Sequence, residues 1–456
     1  MSSEPRLSSL PNEPPTARRF VIFALAAGTS WFLYLHRYTW NFIRPALEEE
    51  TQLSNVELDG LYTLFNVTYS LFQIPSGVVC DLFGPHLFLA IIIALWSLVL
   101  PFFGLTTNPA GLGAFRLLFG ASQAGGYPSL SKVTRSWFPL RTRTTMQGLI
   151  ASFFGRSGGA MSSIIMGTLL IGLLGLSWRM ALVAMSIAGL GFAFLFWWFC
   201  RNSPEEDPWT NQAERDLIRE GEVDNPDAPP VLPFRRVVQN RSMLVFMVQQ
   251  FMNAGADYIY VAIMGSYFLN ARGIEAAEAG LLVSLPLWGG AIGGVVGGIL
   301  NDELIQRTGN RRWSRSGVGF AGKFLACLGM FVAIQQETAM AAATWLFIVK
   351  FFTDWTQPTV WGTCTDMGGR YSATAFSIIN TSGSVGGIVT PLVGGFVLDY
   401  FSHKEVVDGV EKLITNYNPL FALVAAMYLI SASCWFFIDC THSLEHDNEP
   451  ELTMES

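Results

Sequence analysis

The chain reads as an all-α membrane protein with twelve transmembrane helices, arranged as two six-helix halves related by pseudo-twofold symmetry. Three observations predict this. First, 51% of its 456 residues are hydrophobic and only 14% are charged, against roughly 25% charged in an ordinary soluble domain. Second, apolar stretches long enough to cross ~30 Å of hydrocarbon, which takes about 20 helical residues, recur along the whole chain. Third, one polar, proline-rich seam at 201–242 divides these stretches into two sets of six and cannot itself span a bilayer.

In chain order, a tail over 1–19 precedes a first bundle over 20–200, with spans near 20–43, 57–80, 86–106, 110–134, 146–174 and 178–200. The seam over 201–242 follows. A second bundle over 243–440 has spans near 243–269, 278–300, 317–336, 339–366, 373–400 and 417–439, and an acidic tail covers 441–456. Basic residues gather on one side of this arrangement: Arg6/Arg18/Arg19, Lys132/Arg135/Arg141/Arg143, the seam arginines and Arg307/Arg311/Arg312/Arg315. The opposite loops carry little beyond Arg179, Arg272, Lys404 and Lys412. The bias predicts cytoplasmic termini and a cytoplasmic linker, in a multi-pass protein of the plasma membrane. The net charge of −7 comes largely from the tails and the seam, so it gives no sign of a nucleic-acid partner. No small-residue cleavage site follows the polar N-terminus. The six cysteines are scattered without metal-ligand or disulfide spacing.

Function is written in the charges inside the spans. Arg37, Arg116 and Arg156 each fall within an apolar segment of the first half. A cation at that depth costs a few kcal/mol or more, so it turns toward a wet cavity or a partner. Three of them predict a cavity that holds an anion. Each has a plainer reading: Arg37 as an end-of-helix residue reaching the interface, Arg116 as a helix-terminal pairing, Arg156 as an ion pair with a buried acid such as Asp257. In the second half, Asn253, Asp257 and Tyr260 stand at i, i+4 and i+7, one helix face, with Tyr258 off that stripe. Lys350, Asp354 and Gln357 repeat the spacing, Lys350 and Asp354 either neutralising one another or serving coupling. The halves also echo each other: Gly77 precedes Asp81 by four residues, as Gly298 precedes Asp302. Glycine permits close helix approach, and each acid can clamp a neighbouring helix terminus, so both are candidate gating residues.

"GVVCDLFG" and "GGILNDELIQR", at matching places in a 6+6 arrangement, resemble the major facilitator superfamily. "RLLFGASQAGGYPSLSKVTRSWFP" resembles the span-four block of its anion:cation symporter family, and "NTSGSVGGIVTP" that family's eleventh span. The resemblance, over about 20–440, implies import or exchange of organic anions such as sugar acids and carboxylates. It also implies cavity positions for Trp361 and Asn380, while Gly383, Gly386 and Gly387 are expected to serve helix packing. Two departures stand out. His36 precedes Arg37 where proton-coupled members carry an acid, and Gln123 follows Arg116 where they carry a glutamate. Arg156 stands where the family often has a neutral side chain. Two acids lost and one cation gained favour a more highly charged anion.

His36 titrates near neutral pH in its unperturbed state, leaving three roles open to it: proton site, ligand donor or polar cavity residue. With Asp257 and Asp354 it completes the coupling candidates. The expected function is secondary active transport of an organic anion by alternating access, as ion-coupled symport with H⁺ or Na⁺. The alternative is exchange of organic anions or organophosphates, and a sensor on the same fold is a more distant one. The expected partners are the anion, the co-transported ion and the lipid bilayer, for a monomer with no cofactor and no metal. No nucleophile–base pair or phosphate loop points to an enzyme.

Overall fold

The computed structural model describes residues 13–445 except 52, 54, 221–229, 265–266, 274–275 and 408–409. The outer parts of both expected tails therefore lie outside the described residues. Helical structure occupies every one of the twelve expected intervals. The helices are α1 (Arg18–Tyr38), α2 (Trp40–Thr51), α3 (Asn55–Phe83), α4 (Pro85–Val99), α5 (Pro109–Gln123), α6 (Gly126–Trp137), α7 (Arg143–Gly148), α8 (Gly155–Ser162) and α9 (Trp178–Phe199) in the first half. Two short helices, α10 (Gln212–Arg219) and α11 (Phe234–Gln239), lie in the seam. The second half has α12 (Arg241–Ala256), α13 (Ala276–Thr308), α14 (Arg311–Ile334), α15 (Ala339–Asp354), α16 (Thr356–Gly368), α17 (Ser372–Tyr400) and α18 (Asn418–Cys434). Among the described residues, six stretches satisfy both the length and the hydropathy of a crossing. One of these, Ala339–Tyr400, contains 62 residues, far more than one crossing needs.

Local chemistry sets the helix starts. Asn108 accepts from the Ala110 amide ahead of Pro109, and Ser177, Asn240, Asn310 and Thr338 cap α9, α12, α14 and α15 in the same manner. Gly84, at φ 82°, turns the chain between α3 and α4, where a side chain would strike Asn202. Several expected single spans are interrupted. The fourth breaks between α5 and α6 and the tenth at Trp355, symmetry-related places in the two halves. The fifth contains π-helical stretches at Leu149–Phe154 and Ser163–Leu173, and the seventh at Ile259–Ile263 and Tyr267–Ala271. Among the described residues the all-helical expectation has one small exception, an antiparallel hairpin of β1 (Ser402–Val407) and β2 (Val410–Thr415).

The two halves meet chiefly at one end of the molecule, through α3, α6 and α7 on one side and α13, α16 and α17 on the other. There Asp81, at the end of α3, accepts from the amides of Ala373 (3.4 Å) and Thr374 (2.7 Å) and from the Thr374 hydroxyl (2.6 Å), capping α17. Asp302, near the end of α13, accepts from the amides of Thr144 (3.3 Å) and Thr145 (2.7 Å) and from the Thr145 hydroxyl (2.7 Å), capping α7. In each case the acid of one half holds the second and third residues of a helix in the other. One turn earlier, a Cβ on Gly77 would lie 2.8 Å from the Ala373 carbonyl and one on Gly298 2.9 Å from that of Thr144. Both glycines admit the approach that the acids then fasten. Gly383 and Gly386 pack on Gln250 and Phe251 of α12, as the motif implied, whereas Gly387 faces open space.

The seam is built rather than loose over its first part. Glu214 of α10 accepts from the Arg18 and Arg19 amides, both at 2.9 Å, and so caps α1 from outside it. Arg18 meanwhile pairs with Asp207.

Candidate substrate site between the two halves

Above the stitched end, Tyr127 of α6 and Trp361 of α16 meet edge to face at 5.3 Å, and Trp361 continues onto Phe376 at 4.8 Å. Beside this aromatic floor Asn380 donates to Gln73 at 2.5 Å, and Gln73 donates to Ser384 at 3.1 Å. Trp361 and Asn380 thus sit at contacts between the halves.

Arg37 is partly exposed over this floor. Its guanidinium lies 4.6 Å from the Tyr69 ring, 5.0 Å from Phe65 and 5.3 Å from Tyr34, faces that attract a cation. Its Nε donates to Gln123 Oε1 at 3.0 Å, while its Nη2 has no hydrogen-bond partner. Among the described residues no carboxylate pairs with it. Arg156 follows the π-helical stretch in the fifth span, a distortion often found at functional sites. A Cβ on the adjacent Gly155 would lie 2.8 Å from the Tyr127 hydroxyl and 3.5 Å from the Tyr34 ring. Arg156 lies within electrostatic reach of Tyr34 and Tyr38, which stack at 6.0 Å, and Arg37 lies over Tyr34, so the two arginines flank one wall of tyrosines.

Arg156 is not free. It hydrogen-bonds Asp354 of the other half, and Asp354 also accepts from Lys350 at 2.9 Å. Lys350 reaches Asp257 at 2.7 Å and lies 5.1 Å from the Tyr260 ring. Of the two partnerships sequence left open for Arg156, the pair forms, but with Asp354 rather than Asp257. Lys350 and Asp354 do neutralise each other in part. Asn253 is buried and accepts from Lys323, which also donates to the Thr353 carbonyl at 3.1 Å. Lys323 went unnoticed in the sequence, although a lysine inside "GFAGKFLACLG" meets the same criterion that singled out the arginines.

Two candidates stand elsewhere than expected. His36 is fully buried on a different face of α1 from Arg37, against Phe32 (5.5 Å) and the Gly189–Ser97 contact between α9 and α4. Its ring nitrogens have no hydrogen-bond partner. Consecutive helical residues are about 100° apart, so with Arg37 toward the space between the halves, His36 enters the bundle. Arg116 is 2% exposed and enclosed by Trp40 (4.2 Å), Phe65 (5.1 Å), Tyr62 (5.7 Å) and Phe103 (5.9 Å), donating to the Leu61 carbonyl at 3.2 Å. It is an aromatic-caged residue inside the first bundle rather than a group facing the space between the halves.

The Major Facilitator Superfamily model matches residues 22–388 and, again, 246–452. The chain belongs to this superfamily. It is accordingly an integral membrane protein of a transporter family. It is 28% identical, over 84% of its length and 87% of the relative's, to a probable sulfoacetate transporter of Cupriavidus necator. It is 27% identical to a probable galactarate/D-glucarate transporter of Bacillus subtilis, covering 84% and 86% of the two chains. Among solved structures it resembles the transporter FucP in its outward conformation, with a TM-score of 0.67 at 16% identity, over 92% of this chain and 99% of that one. That likeness supports the fold.

Proposed function

We propose that this chain is a secondary active transporter of small organic dianions, working by alternating access and by ion-coupled symport. The observation that carries the reading is the pair of arginines, Arg37 and Arg156, partly exposed along one tyrosine wall between the halves. Around that space stand four cations, Arg37, Arg156, Lys323 and Lys350, against the two carboxylates Asp257 and Asp354. A substrate with two negative charges balances the excess. Arg37, with an unpaired Nη2, takes one anionic group, and Arg156 takes the other. Sulfoacetate and galactarate, named for the relatives, both carry two acidic groups and are the first compounds to test.

Alternating access suits the two acid caps. Asp81 and Asp302 hold one end shut, and their release lets the halves rock about the site. The arginine-rich loops gather at this shut end, which supports its assignment to the cytoplasm together with both termini; a plasma-membrane location and a monomeric state belong to the same proposal. The test is uptake of radiolabelled galactarate and sulfoacetate into proteoliposomes with and without an imposed H⁺ or Na⁺ gradient. Gradient-driven accumulation is the expected result, with Arg37→Gln reducing it by about tenfold or more, as loss of a charged hydrogen-bond partner implies. Uptake that ignores both gradients but responds to internal anion would favour exchange. The observation behind that second reading is the N-terminal site itself, where Arg37 meets Gln123 and no titrating carboxylate among the described residues.

A further inference from the structure

The Arg156–Asp354 pair joins residues 198 apart in sequence and in different halves. It does so well inside the molecule, whereas the Arg135–Glu445 pair (3.7 Å) joins the halves at the shut end. The Asp354 side chain is only 5% exposed and that of Arg156 26%. Asp354 is also held by Lys350 at 2.9 Å and lies 3.4 Å from the Thr353 hydroxyl. It can therefore leave Arg156 and keep a cationic partner. Arg37, by contrast, is stabilised by three aromatic faces and Gln123, with no carboxylate partner among the described residues. Of the two arginines, Arg156 alone depends on a counter-charge from the other half.

Building on the dianion reading above, we propose that Asp354 is an internal substitute for the substrate's anionic group. It neutralises Arg156 when the site is empty, and so allows the empty carrier to change conformation. A carrier must pass through a state in which the site is shut from both sides, and there an unpaired cation is costly. With anion bound, the anion neutralises Arg156; with the site empty, Asp354 does. A protein with this arrangement performs net transport as well as exchange. Among the other charges facing the pair, Asp257 also acts on Arg156, at longer range than Asp354. Lys350 and Lys323 are cations, and Asp257 reaches Lys350 at 2.7 Å from a side chain 39% exposed.

The experiment compares net efflux with counterflow of labelled galactarate and sulfoacetate in proteoliposomes of wild type, Asp354→Asn and Arg156→Gln/Asp354→Asn. Wild type is expected to support both modes. Asp354→Asn should retain counterflow while net efflux falls about tenfold or more, since removing one partner of a buried pair is strongly destabilising. The double variant, with neither charge, should recover net efflux of whatever anion it still carries. An unchanged ratio in Asp354→Asn overturns the proposal. Loss of both modes there, with no recovery in the double variant, overturns it as well. A wild type capable of counterflow alone removes the proposal while leaving an anion exchanger standing. A wild type that moves neither compound removes the dianion reading on which the proposal rests.

Discussion

Replacing Asp302 with alanine should open the end of the molecule that the structure holds shut. The carboxylate accepts two hydrogen bonds of 2.7 Å from Thr145 and one of 3.3 Å from the Thr144 amide, all from the other half. Losing a helix cap costs about 1 kcal/mol, and a hydrogen bond to a charged group contributes about 1.5–3 kcal/mol. Because these contributions overlap, the shut state should lose about 2–4 kcal/mol relative to the open one, a population shift of about 30- to 1,000-fold. Arg315 is not orphaned by the change, since its Nε remains 2.7 Å from Asp366. The effect is therefore on closure rather than on an abandoned charge.

Spin labels at Phe83 and Trp313, 71% and 53% exposed at this end of opposite halves, would report the separation by pulsed dipolar spectroscopy. A longer distance should appear or dominate in Asp302→Ala, and again in Asp81→Ala. The double variant should gain less than the two singles together, because either release parts the same pair of halves. A single unchanged distance in a folded Asp302→Ala protein would refute the assignment of Asp302 to closure.

Three further outcomes are expected. Replacing His36 with glutamine should leave the pH dependence of anion binding as in wild type, because the ring lies among α1, α4 and α9; isothermal titration across pH 5–8 checks this. In the linker, burial works against ionisation of Glu214, but the Arg19 amide, Thr16 hydroxyl and Arg18 amide overcome it and lower its pKa. Its contribution to docking is thus present above the unfolded value, about 4.3, and lost as pH falls through the lowered value; limited proteolysis of the linker should accelerate over that acid range, and at neutral pH in Glu214→Gln. Gly293→Leu should destabilise the second half by several kcal/mol, since a Cβ there would lie 2.8 Å from the Phe351 Cα and carbonyl carbon. Thermal unfolding in detergent would show it.

Depth was legible in the sequence and direction was not. An arginine amid apolar residues announces its own burial, and the aromatic cage of Arg116 satisfies that statement as fully as the tyrosine wall beside Arg37. Which of these an arginine finds depends on a rotation of 100° per residue, finer than a span boundary can be placed. His36 and Arg37, adjacent in sequence, consequently part company. The stripe of Asn253, Asp257 and Tyr260 assumed one unbroken helix, but α12 ends at Ala256 and a π-helical stretch begins at Ile259. The paired glycine and acid in each half needed no facing information, because a glycine four residues before an acid at a helix end lies on the same face whatever the rotation.

The symmetry of the structure is plain at its joints. Asp81 and Asp302 cap the same two helical positions in opposite halves, and the fourth and tenth spans break at related places. The charges between the halves have no such relation. The first half offers Arg37 and Arg156, while the second holds Asp257, Asp354, Lys323 and Lys350 in mutual contact or nearby. A symmetric pair of joints allows either half to move against the other with similar cost. An asymmetric charge distribution means that the motion also separates Arg156 from Asp354 unless the pair rides within the contact between the halves. On the proposed mechanism, binding of an anion to Arg156 would remove that constraint at one point, and release of the two acid caps would then open the shut end.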